Sequence, residues 1–282
     1  MKDFSKEVAE GDRFKFGRNW KHFLSVLNES RIFEAERSLK EMLEVDHLEN
    51  KSFLDIGSGS GLFSLVARRL GAKVHSFDYD PLSVACTDEL KRRYFFDDKS
   101  WRIEEGDVLD QNFLNSLGQF DIVYAWGVLH HTGAMWQAME NIIPLVGEGE
   151  KLFISIYNDQ GVVSRCWRGI KKFYNLSPSP IQWIILIVFG IFLQFSAAVI
   201  RLMRGQNPLP LKEWANKKKT RGMSVWHDLV DWVGGYPFEV AKPNEIIDFY
   251  KERGFLLLKL KTRGGHLGCN EFVFIKDKKR EK

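Results

Sequence analysis

Cysteine is nearly absent from this chain of 282 residues: the three present, Cys86, Cys166 and Cys269, lie far apart and match no metal-ligand spacing. That excludes a disulfide framework and a cysteine-built metal centre, and a reducing compartment is expected. The stretch Met1 to Glu7 has no apolar signal region, so a cytoplasmic rather than secreted protein is expected. No internal repeat is visible. The sharpest absence is local: Phe173 to Ile200 contains no Asp, Glu, Lys or Arg. Acids are scarce around it too. Residues 161–222 carry eleven Lys and Arg against one acid, Glu213, a block of +10 in a chain of net +4, leaving −6 elsewhere. A 44% hydrophobic and 28% charged composition excludes wholesale disorder and supports one large domain, or one domain with an insertion.

What is present is alternation. Trp20, Phe23, Leu24 and Leu27, then Ile32, Ala35, Leu39 and Leu43, follow a 3–4 spacing and predict amphipathic helices within 1–50. Strand-like runs at 52–57, 73–77, 101–105, 120–125 and 150–157 then alternate with helical ones at 61–70, 81–93, 111–117 and 134–145. Such alternation predicts an α/β fold, a parallel sheet covered on both faces. Pro243 opens a further helix to about Arg253, and strands 255–262 and 270–276 flank the loop Thr262 to Gly268.

The first strand runs into Asp55-Ile56-Gly57-Ser58-Gly59-Ser60-Gly61, and a second acid, Asp78, follows about 20 positions later at the end of the next strand. That spacing is a nucleotide-binding fingerprint, with the second acid on the ribose hydroxyls. Asp55 would repel a pyrophosphate and suits a cationic ligand. The pattern Asp-x-Gly-x-Gly-x-Gly resembles motif I of the class I S-adenosylmethionine-dependent methyltransferases. The resemblance covers roughly 50–157 and 243–276. It implies a Rossmann-like, doubly wound, mostly parallel seven-stranded sheet. An N-terminal helical cap would span 1–50, the core 51–157 and 243–276, and a large helical insertion 158–242. S-adenosylmethionine would be the cofactor and S-adenosylhomocysteine the product. The cofactor set would be Asp55, Gly57, Gly59, Gly61, Asp78, Tyr79, Asp107, Val108 and Trp126. In this set Asp107 would bond the adenine amino group, Val108 would pack on the ring, and Phe120 to Trp126 would end beside the sulfonium. The next segment, Val128-Leu129-His130-His131, resembles the ubiquinone-biosynthesis O-methyltransferases, not the Asn/Asp-Pro-Pro-Tyr of amino-group methylases.

The apolar run 181–200 is long enough to span a membrane. Strands of one sheet lie before and after it, so a single crossing is excluded. It is expected to lie on an anionic membrane surface through 165–204, at the inner face, to turn back as a broken hairpin near Gly190, or to form a lid or a homodimer patch. The cationic flanks Arg168-Lys171-Lys172 and Arg201-Arg204 favour headgroups.

Methyl transfer needs an acceptor held in line and a group to take its proton, with no metal. The catalytic candidates are His130, His227 and Asp228; Trp20, His131, Asp231, Tyr236 and Glu239 are the substrate-binding candidates. The closing loop could add His266 or Asn270 to the rim. Family likeness extends only to the cofactor positions, because the His227 to Glu239 segment belongs to the insertion. The expected function is methylation, on oxygen, of a small molecule, lipid or glycan precursor. Two readings stay open beside it: an RNA methyltransferase using the basic insertion, which a charge-free helix makes the weaker choice, and a non-catalytic binding module.

Overall fold

In the computed structural model, residues 3–203, 205–207, 225–265 and 267–278 are described. The five alternating runs become parallel strands β1 (Ser52–Ile56), β2 (Lys73–Asp78), β3 (Trp101–Glu105), β4 (Phe120–Trp126) and β5 (Val146–Tyr157). Two more, β6 (Phe255–Lys261) and β7 (Cys269–Lys276), complete a seven-stranded sheet of order β3-β2-β1-β4-β5-β7-β6. Only β7 runs antiparallel to its neighbours, with Ile154 opposite Phe272 and Tyr157 opposite Cys269. The order reverses between β1 and β4, whose register sets Leu54 beside Val123. That switch point, at the carboxyl ends of the strands, is where such sheets bind ligands.

Both faces of the sheet are buried, so the central strands are apolar throughout. With a side-chain period of two, Leu54, Ile56, Val123, Ala125, Leu152 and Ile154 point to one face and Phe53, Ile122, Tyr124 and Phe153 to the other. The first face packs on α7 (Met135–Asn141) and α11 (Pro243–Lys251). The second packs on α2 (Phe16–Val26), α3 (Glu29–Leu43), α4 (Leu62–Arg69) and α5 (Pro81–Tyr94). A short α1 (Phe4–Ala9) precedes these and α6 (Gln111–Asn115) lies between β3 and β4. The helix expected over 134–145 is interrupted: Pro144 has no amide hydrogen, so α7 ends at Asn141 and a tight turn over Ile143–Leu145 leads into β5.

The insertion contains α8 (Val162–Leu176), α9 (Ser179–Met203) and α10 (Val225–Gly234). These build a third apolar cluster of Trp167, Tyr174, Leu186, Leu229, Val233 and Phe238, joined by Phe14 and Tyr157. Lys171 is wholly buried within it. Its ammonium donates to the Trp232 carbonyl, and Asn175 Nδ2 donates to the Gly234 carbonyl at 2.7 Å. Two α8 side chains thus satisfy carbonyls in the last turn of α10. Lys171 is therefore not the headgroup contact that its place among basic residues suggested.

Candidate active site

The glycine loop turns sharply between β1 and α4. Gly57 N–H and Ser58 N–H both donate to the Phe77 carbonyl, at 2.8 and 3.1 Å, tying the loop to the end of β2. Gly57 has φ +69°, and a Cβ there would stand 2.4 Å from Val128. Glycine is required on both counts. Gly59 N–H donates to Asp78 Oδ2 at 2.9 Å, and Asp80 N–H donates to Asp78 Oδ1 at the same distance. Asp78 is thus held by two backbone amides at the mouth of the switch point. Burial outweighs those amides and lifts its pKa to about 6.

The N-terminal helices close over this corner. Asp80 caps α5 through Leu82 N–H and, with its other oxygen, accepts Gly17 N–H of α2 at 2.8 Å. Trp20 lies against Gly59, and Arg13 stacks on the Tyr79 ring at 4.8 Å while donating to the His131 carbonyl at 3.0 Å. A cavity of about 530 Å³ lies beneath. Its donor end is lined by Gly57, Gly59, Asp78, Tyr79, Asp107 and Val108; Trp126 lines the wall further along.

The opposite end is aromatic and brings together His130, His131, Tyr157, Asp231 and Trp232. The His131 Nδ1–H donates to the Pro237 carbonyl at 2.6 Å, which fixes the tautomer and leaves Nε2 as an acceptor. Burial keeps His131 neutral, its pKa lowered to about 3. His130 packs 4.1 Å from the Tyr157 ring and is also held neutral by burial. Neither of its ring nitrogens closes a well-formed hydrogen bond, and the nearby Ser155 backbone only partly offsets the effect of burial. Asp231 Oδ1 accepts from Asn19 Nδ2 of α2 at 2.5 Å.

These shifts oppose one another in the stability of the fold. The raised carboxyl pKa of Asp78 contributes stability at acid pH that is lost as pH climbs from 3.8 through about 6. The depressed value of His131 contributes stability that is full above 6.5 and lost as pH falls toward about 3.

Four residues expected at the site lie elsewhere. Asp55 is buried behind the loop, where it accepts the Ser64 hydroxyl of α4, and burial raises it to about 7. It points to the helix face because its neighbours Leu54 and Ile56 point the other way. Gly61 starts α4 and abuts Thr87 instead of lining the cavity. Glu239 accepts Met135 N–H at 3.0 Å and so caps α7, which has only Ala134 at its own N-cap. Tyr236 packs in the insertion cluster and accepts Phe14 N–H through its carbonyl. The side chains of His227 and Asp228, and all of His266, lie outside the described residues. Asn270 is buried between Arg263 N–H and Asn158, while Arg263, Leu267 and Gly268 supply the rim. Sequence reasoning missed Arg13, Asp80 and Tyr157. Tyr157 had a usable signal, since it ends the fifth strand, where ligands of such sheets gather.

The donor end suits S-adenosylmethionine. Two acids, Asp78 and Asp107, line the cavity where a cationic ligand with ribose hydroxyls would sit, and Val108 would offer an apolar wall to a flat ring. Comparisons agree. The 36% identical ribosomal protein L11 methyltransferase of Prochlorococcus marinus matches over 128 residues, 43% of this chain and 40% of that protein. A second ribosomal protein L11 methyltransferase, from Lachnospira eligens, is 33% identical over 79 residues, 27% of this chain and 24% of its own. The chain thus spans less than half the length of these curated relatives. Among solved structures, magnesium protoporphyrin IX methyltransferase from Synechocystis PCC 6803 with bound S-adenosylhomocysteine superposes at TM-score 0.53 and 12% identity, covering 92% of this chain and 94% of that one. The [4+2]-cyclase SpnF superposes at 0.52 and 11%, over 86% and 80%. At such identities the likeness establishes the fold alone. The methyltransferase domain family matches residues 27–215, most of the sheet and much of the insertion. The chain belongs to the methyltransferase domain family, whose methyl donor is S-adenosylmethionine.

Proposed function

We propose that this enzyme methylates an oxygen of a small molecule, lipid or glycan precursor. The observation that carries this reading is one cavity with two ends: a carboxylate-lined donor corner, and an aromatic chamber with a neutral imidazole. Asp78, Tyr79, Asp107 and Val108 would hold the donor, which supplies an electrophilic methyl group when bound. His131 is held by the Pro237 carbonyl so that its Nε2 can accept the hydrogen of an acceptor hydroxyl. That bond would orient the oxygen lone pair toward the donor end. The same Nε2 would take that proton as the oxygen gains carbon, and Asp231, a carboxyl of the chamber fixed by Asn19, would favour the imidazolium so formed. The rings of Tyr157 and Trp232 exclude water and favour an acceptor with an apolar body.

Calorimetric titration with S-adenosylhomocysteine tests the donor half. Asp78→Ala should weaken binding roughly 10- to 100-fold, since hydrogen bonds to a charged group contribute about 1.5–3 kcal/mol. No binding to folded wild-type protein would sink the donor assignment. Incubation with isotope-labelled S-adenosylmethionine and a panel of phenols, polyprenyl alcohols and sugars tests the acceptor. A second reading, methylation of a protein, is favoured by the names of the curated relatives. Label in ribosomal protein and none in the small molecules would choose it.

A further inference from the structure

Helix α9 is the most exposed apolar element among the described residues. It touches the protein along one narrow line, through Leu186, Ile185, Phe189 and Gly190. Trp183, Ile184, Ile187, Val188, Ile191 and Phe195 lie outward, with Ile184, Ile191 and Phe195 exposed by 60%, 65% and 68%. Their spacing continues one stripe along just over three turns. Phe173 and Leu176, at the end of α8, extend the patch. A contiguous apolar face of this length calls for a partner.

Three observations choose the partner. The first is topology. β5 precedes the insertion and β7 follows it, yet the two pair side by side, so the chain leaves and returns on one side. The second is the grip on α9. Gly190, at its middle, allows Leu229 of α10 to approach so closely that a Cβ would lie 3.1 Å from its methyl group. A helix held against protein at its middle cannot stand upright in a bilayer, but it can lie half-sunk in the plane of one. The third is charge. Outside the buried Lys171, α8 and α9 carry Arg165, Arg168, Lys172 and Arg201 and no Asp or Glu. Arg165, Arg168 and Lys172 are exposed. Two copies meeting on this face would bring like charges together, whereas anionic headgroups neutralise them.

We propose that α8 and α9 form a docking surface for an anionic lipid bilayer, with α9 lying parallel to the membrane in the headgroup layer. Trp183 sits on the outward stripe, a position suited to the interface. The docked helix is close to the chemistry: Phe189 contacts Trp167 at 5.4 Å between ring centroids, and Trp167 contacts Trp232, a cavity wall residue, at 5.3 Å. The surface stands independently of which acceptor is methylated.

Flotation of the full chain with phosphatidylglycerol vesicles and with phosphatidylcholine vesicles tests it. Wild-type protein should float with the anionic vesicles, and brominated lipid should quench Trp183, read as the difference from Trp183→Phe. The triple variant Ile184→Glu, Ile191→Glu, Phe195→Glu should lose at least about tenfold in vesicle affinity. Unchanged circular dichroism and S-adenosylhomocysteine binding would show that it is folded. Wild-type protein left at the bottom of both gradients overturns the proposal. So does a folded triple variant that floats as well as wild type. A dimer that ignores vesicles and is split by the triple variant would assign the face to a second copy instead.

Discussion

The two ends of the cavity handle burial in opposite ways. The donor corner holds carboxyl groups whose pKa values rise, Asp78 to about 6, with Asp55 behind the loop at about 7. The acceptor chamber holds imidazoles whose values fall, His131 to about 3. One cause acts in both: a dry environment penalises whichever form is charged. The consequences differ. At the donor corner a ligand that donates hydrogen bonds to the ionised carboxyl would offset what burial costs it. In the chamber, neutrality is the working state, because only an unprotonated imidazole accepts a hydroxyl hydrogen.

The largest expected effect comes from breaking the donor corner alone. Gly57→Ala places a Cβ against Val128 at a left-handed φ. Cofactor affinity should fall by at least about 100-fold, from strain of a few kcal/mol in the loop. Equilibrium dialysis with S-adenosylmethionine measures this, and near wild-type affinity would mean the loop yields freely. Next comes the chamber alone. His131→Ala should lower turnover about 100-fold with any accepted hydroxyl substrate, while donor affinity stays within about twofold. A matching loss in donor binding would erase the division between the two ends.

The pH dependence sharpens the contrast further. Since the Asp78 pKa is raised to about 6, its carboxylate is mostly neutral at pH 5 and mostly ionised at pH 7. Donor affinity should therefore fall roughly tenfold from pH 7 to pH 5. Asp78→Asn should flatten that slope. Over the same range the His131 imidazole should not titrate, which proton or carbon resonances of the ring would report. The smallest effect is expected at Glu239→Gln. The amide oxygen still accepts Met135 N–H, so stability should drop by about 1 kcal/mol or less and donor binding should not change. A loss of turnover there would return Glu239 to the site.

This contrast also explains what the sequence made legible. The donor corner is local chemistry: a strand end, a turn that needs glycine, and an acid at the next strand end. Gly57, Gly59, Asp78, Asp107 and Val108 could be read because the loop and each strand end are contiguous. Asp55 was misread because the side-chain alternation of β1 decides its direction, and that direction leads to Ser64. The chamber is assembled by packing. Arg13 comes from the loop before α2, Tyr157 from β5 and Trp232 from α10. No spacing in the chain joins them. Glu239 looked reactive among aromatic neighbours, yet it serves a helix that begins over 100 positions earlier. The alternation of strands and helices carried the five parallel strands, whereas packing decides that β7 inserts antiparallel between β5 and β6.

That last strand sets a schedule for biosynthesis. β5 ends at Tyr157 and its partner β7 begins at Cys269, with the apolar α9 between them. At roughly 5–20 residues per second, a ribosome takes about 5–20 s to pass from one strand to the other. During that interval α9 has been made while the edge of β5 still lacks its neighbour. The growing chain therefore presents an apolar helix and an open strand edge together, before the enzyme can be complete. A nascent-chain surface of that kind is open to aggregation until β7 is made, so the helix meets its surroundings before the sheet is complete.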